Sequence, residues 1–116
     1  MATLTQRAQE ARKFAHLTFE LRDLLRQFLQ NKFRENNIDV TYEMQQVMAC
    51  LWRTDGVRQQ DLADRTLKDK ASLTGLINNL AKRKLVKRVA DPDDKRSKLI
   101  FLTASGKKLG ENIERS

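Results

Sequence analysis

Apolar residues in the first third of the chain recur at alternating spacings of three and four. Phe14, Leu17, Leu21, Leu24 and Phe28 form a seven-residue seam, and this spacing predicts one long helix from about Gln6 to Glu35. Ala15, Leu25, Leu29 and Phe33 widen the stripe beyond what a small three-helix core needs. Such a stripe packs either on its own domain or on a second subunit, and its size favours the second. "ENNIDV" breaks the pattern. Thr41 is then placed to cap a second helix, with Glu43 in the favourable first turn. Met44, Val47, Met48, Leu51 and Trp52 give that helix an inward face, with Cys50 in or beside the core as a small hydrophobe. "TDG" at 54–56 is a turn signal.

Leu62 and Ala63 anchor a short third helix, and Asp69 reads as the N-cap of a fourth, buried through Leu73, Leu76, Ile77 and Leu80. Its other face carries Lys70, Ser72, Thr74, Gly75, Asn78, Asn79 and Lys82. Hydroxyl and amide side chains can hydrogen-bond base edges in the major groove, while lysines hold phosphates. Gly75 costs the helix about 1 kcal/mol relative to Ala, tolerable where something approaches the backbone closely. Two helices joined by a short turn, the second so surfaced, fit a helix-turn-helix. "LVKRVA" (85–90) and "KLIFLT" (98–103) are short and β-prone, and "DPDDKRS" between them is turn-rich. The fold class expected is mainly α with a small two- or three-stranded β wing, a winged helix-turn-helix. Thr103 can cap a last helix. The expected organisation is an N-terminal dimerisation-type helix (1–36), a winged DNA-binding domain (37–103) and the start of a C-terminal helix (104–116).

Charge sharpens this picture. The 116-residue chain, the size of one domain, carries 23 Lys and Arg against 15 Asp and Glu, a net +8. Residues 65–98 hold eleven basic side chains and four acidic ones, a net +7 in under a third of the length. Such a concentration favours a phosphate-binding surface over an ordinary solvated face. One His and one Cys allow neither a metal cluster nor a nucleophile–base pair, so no enzyme, metal or cofactor is expected. The lone Cys50 fits a reducing cytosol, and nothing around it argues for a redox role. No run of apolar residues is long enough for a transmembrane helix, and "MATLTQRAQEARKFAHL" has no apolar signal region. Glu10, Glu20 and Asp23 on the first helix argue against a membrane-surface role.

Residues 40–113 resemble the MarR family of transcriptional regulators. The wing "DPDDKRSKLIFLT" is close to that family's signature of an aspartate, any residue, an arginine and an apolar strand ending in Leu-Thr. "QQDLADRTLKDKASLTGLINNLAKRKLVKR" follows the family's helix-turn-helix in order and spacing. The resemblance implies a cytoplasmic homodimer on double-stranded DNA, with a small-molecule effector a further partner. It implies that Arg96 enters the minor groove and that Asp94 pairs with it as a brace. Lys70, Ser72, Thr74 and Asn78 would face the major groove. Lys82, Lys95 and Lys98 join them as candidate contacts to the backbone. An oriented guanidinium suits the narrow, electronegative minor groove. An ordinary surface pair of Asp94 and Arg96 would contribute only ~0–1 kcal/mol.

Two departures stand out. Position 75, often basic or polar in such regulators, is Gly, and Lys84 stands where Gly often follows the recognition helix. The family also continues through further C-terminal helices that build the dimer and bound the effector pocket. The chain ends at Ser116, so either those helices are cut short or the dimer forms mainly through the N-terminal helix. The competing reading is a winged module for protein–protein assembly, its positive face meeting an acidic partner without specific DNA recognition.

Overall fold

The computed structural model of the protein describes residues 3–115; the expected outer bounds at 1 and 116 lie outside them. Helix α1 (Leu4–Glu35) starts two residues before the apolar pattern predicts, because Thr3 and Gln6 form a capping box. Thr3 Oγ1 accepts from the Gln6 N–H at 3.2 Å, and Gln6 Oε1 accepts from the Thr3 N–H at 2.7 Å. Thr41 caps α2 (Tyr42–Arg53), accepting from the Met44 N–H. A two-residue strand β1 (Val57–Arg58) leads into α3 (Gln59–Thr66), and Asp69 caps α4 (Lys70–Lys82). The wing strands β2 (Val86–Ala90) and β3 (Lys98–Leu102) follow, then α5 (Ala104–Arg115). Thr103 accepts from the Gly106 N–H at 3.1 Å, as an N-cap should.

The sheet has three antiparallel strands in the order β1-β3-β2. Val57 pairs with Ile100 and Arg58 with Leu99, while Val86 pairs with Leu102 and Ala90 with Lys98. Strand β1 lies in a segment whose only sequence signal was the preceding turn. Two residues are too few to show an alternation, and the partner that makes them a strand is forty residues away.

Helices α1, α3 and α4 end in one motif. Asn37, Leu67 and Lys84 adopt left-handed backbone with φ of 56°, 55° and 59°. In each case the next residue's N–H reaches back to the helix: Ile38 to Phe33, Lys68 to Ala63, Leu85 to Leu80. This is the Schellman arrangement, built three times without the glycine that would make it easiest. Lys84 therefore marks a well-defined end for α4 even though it departs from the family pattern.

The core is made by Phe33, Met44, Val47, Met48, Leu51, Leu62, Leu73, Ile77, Leu80 and Ile100, joined by Leu109 from α5. Burying each of these large side chains contributes on the order of 1.5–3 kcal/mol. Trp52 packs tilted on Phe33 with centroids 6.0 Å apart, and its Nε1 donates to the Gly106 carbonyl at 2.9 Å. Helix α5 comes this close only because Gly110 has no Cβ, which would lie 2.6 Å from the indole. Cys50 is half-buried beside this core.

Phe33 is the one buried residue of α1. The seam residues Phe14, Leu17, Leu21, Leu24 and Phe28 are each more than half exposed, so the seam does not pack on its own domain, whereas Phe33 at the end of the wider stripe does. None of the helices among the described residues is long and apolar enough to cross a membrane.

Candidate nucleic-acid interface

The polar face of α4 opens at Asp69. Its carboxylate accepts from the Ser72 N–H at 2.7 Å and from the Ser72 hydroxyl at 2.9 Å, and these bonds, the backbone one foremost, lower its pKa. Ser72 is exposed and keeps both hydroxyl lone pairs for an outside donor. Thr74, expected to lie open on the same face, is instead half-buried. Its hydroxyl donates to the Lys70 carbonyl and accepts from Gln59 Nε2, both at 2.8 Å, so it has no proton to offer a base. The reason is Gln59, at the start of α3, reaching across to α4. Arg88 of β2 extends this link with longer contacts to Gln59 Oε1 (3.5 Å) and the Thr74 carbonyl (3.4 Å). Asn78 and Lys82 are exposed further along α4, and none of the described residues comes within 4 Å of where a Cβ at position 75 would lie.

The wing loop 91–97 is organised by aspartates. Asp94 Oδ1 accepts from the Arg96 backbone N–H at 3.0 Å, and Oδ2 accepts from the Ser97 hydroxyl at 3.1 Å. Asp94 thus shapes the turn beneath Arg96 through the backbone; the pairing with the guanidinium that the resemblance implies is not among the ion pairs of the described residues. Both carboxylate oxygens of Asp94 are engaged within the loop, and Arg96 is exposed.

The wing's ion pair is a different one. Asp91 is 5 % exposed; its Oδ2 accepts from Arg58 Nε at 2.9 Å and its Oδ1 from the Asp93 N–H at 2.9 Å. The Asp93 N–H, with the Arg58 contact behind it, holds the Asp91 pKa below the ordinary 3.8 against the opposing effect of burial. Neither partner was singled out from sequence as part of a pair. They lie 33 residues apart, and only the pairing of β1 with β3 brings them together.

Between α4 and the wing runs a groove of about 310 Å³ lined by Arg58, Gln59, Lys70, Leu73, Arg96 and Lys98, among others. It unites three of the expected site residues, Lys70, Arg96 and Lys98, with Arg58, which sequence reasoning missed. Ser72 lines a separate cleft with Gly75 and Asn79 on the flank of α4. Lys82 lies about 18 Å down the helix axis from Lys70, and Lys95 is exposed on the loop. None of the expected cations forms an ion pair among the described residues.

A family model described as the MarR family matches residues 41–98, half of the chain. The transcriptional regulator HosA of Escherichia coli O111:H- is 34 % identical over 71 residues, which is 61 % of this chain and 53 % of HosA. The chain spans about half the length of that relative. Among solved structures, AbfR of Staphylococcus epidermidis superposes with a TM-score of 0.84 at 23 % identity, covering 98 % of this chain and 76 % of AbfR, a likeness of fold. The S. aureus MepR–DNA complex gives a TM-score of 0.68 at 27 % identity, covering 86 % of this chain and 81 % of MepR.

Proposed function

The chain belongs to the MarR family of transcriptional regulators, and from that membership we propose that it binds duplex DNA sequence-specifically as a homodimer. The observation that carries the reading is the convergence of Lys70, Arg96 and Lys98, from two separate elements, on one groove. In this reading α4 enters the major groove. Ser72 and Asn78 read base edges, Thr74 serves only as an acceptor, and Lys70 and Lys82 hold phosphates. Arg96 enters the minor groove from a loop that Asp94 stiffens, with Lys95 and Lys98 on the flanking backbone. The solved MepR–DNA complex, a structural neighbour bound to DNA, supports the DNA-binding reading. A cleft of about 300 Å³ between α2 and α5, walled by Trp52, Leu102 and Ile113, supports a small-molecule effector site.

Selection of bound sequences from random duplexes tests the proposal. A two-fold symmetric consensus is expected, and Arg96→Ala should weaken binding to it by about tenfold or more, the scale of one good groove contact. Lys13→Ala, on the exposed face of α1, should change it little. Failure to enrich any sequence from a folded protein would favour the assembly-module reading instead.

A further inference from the structure

Arg58 is the N-cap residue of α3, with φ −64° and ψ 145°, and its side chain makes no capping bond. An N-cap side chain must accept a hydrogen bond from the first turn, and a guanidinium has no acceptor to offer. The position is therefore a poor one for arginine as far as the helix is concerned, and the side chain is engaged elsewhere. Its Nε donates to Asp91, whose side chain is 4 % exposed, while Arg58 itself remains 49 % exposed. Asp91 is in turn fixed by the Asp93 N–H. A single bond through Nε leaves four guanidinium N–H groups for other partners. Arg58 lines the groove that Lys70, Arg96 and Lys98 also line.

We propose that Arg58 is a phosphate ligand of the bound duplex, seated in the groove between α4 and the wing and held in orientation by Asp91. The proposal rests on the DNA-binding reading above. The chemistry is that of a planar fork, one edge anchored to a buried carboxylate and the other presented to a phosphodiester. Such anchoring restricts a long, flexible side chain before the ligand arrives. The three neighbouring cations offset the Asp91 charge, so the groove remains attractive to an anion. Asp91 is a positioning residue: it touches the arginine and the wing backbone and has no part in the phosphate contact.

The test is a salt titration of binding to one duplex of fixed sequence, comparing the unsubstituted chain with Arg58→Gln, Arg58→Ser and Asp91→Asn. The serine variant restores an N-cap, which protects the fold against loss of the ion pair. Both Arg58 variants should lower affinity about tenfold at low salt and reduce the slope of log K against log salt by about one, whatever the duplex sequence. Asp91→Asn should lower affinity less and leave the slope unchanged, because the cation remains but is no longer held. Equal losses in all three variants with unchanged slopes would make the pair a strut for the wing only and overturn the proposal. So would unchanged affinity in the Arg58 variants. Absence of duplex binding by the unsubstituted chain would remove both readings, whereas binding with unaltered slopes removes this one alone.

Discussion

Lys84 sits one residue beyond the cap of α4 with φ 59°, a backbone conformation that costs a residue bearing a Cβ about 1–2 kcal/mol. Its N–H donates to the Ala81 carbonyl at 2.9 Å and that of Leu85 to the Leu80 carbonyl at 3.0 Å, so the motif is complete and only its occupant is strained. Lys84→Gly should therefore raise stability by about 1 kcal/mol, read as a higher urea midpoint at unchanged slope. A fall in midpoint would mean that the lysine side chain contributes more than the strain costs. The aspartates of the wing illustrate the same scale from another side. Asp91 and Asp94 look alike in sequence, three positions apart around Pro92. Asp91 is buried against Arg58, whereas Asp94 closes a turn on backbone and Ser97.

Helix α1 is the element whose residues have least to do within the protomer. From residue 4 to Phe28 every position is exposed, including eight aromatic or leucine side chains. In the proposed homodimer a paired seam would cover them, and Leu17→Glu together with Leu24→Glu should then convert the dimer to a monomer by sedimentation velocity without loss of helical signal from the winged domain. A dimer that survives both charges would place the interface elsewhere. Elements of this kind were legible in the sequence because their signals are local. Periodicity gave α1, α2 and α4, and the side chains of Thr41, Asp69 and Thr103 gave the caps. What could not be read was long-range. Strand β1, the Arg58–Asp91 pair and the Gln59–Thr74 bond depend on segments that approach only when the sheet and the helix pair close. The bonds of Asp94 to the Arg96 backbone N–H and the Ser97 hydroxyl are likewise set by the closed turn.

At the scale of the molecule, a slender body of 57 × 36 × 21 Å carries most of its excess charge between residues 65 and 98, in and around α4 and the wing. Lys70, Lys82, Lys95, Lys98 and Arg58 make five candidate phosphate-holding cations in each chain of the proposed dimer, beside the groove contact of Arg96. Raising salt from about 50 to about 200 mM should then weaken duplex binding by about 10³-fold or more, measured by fluorescence anisotropy. A nearly flat profile would show that these cations do not meet phosphates. The long seam adds a geometric consequence. A 3.5-residue repeat winds paired helices left-handedly at a crossing angle near about 20°, so in a dimer joined through α1 the seam acts as a ruler. Sliding its register by one heptad would displace one reading head by about 10 Å, or about three base pairs of duplex. The spacing of two operator half-sites would thus be written partly in leucines that never touch DNA.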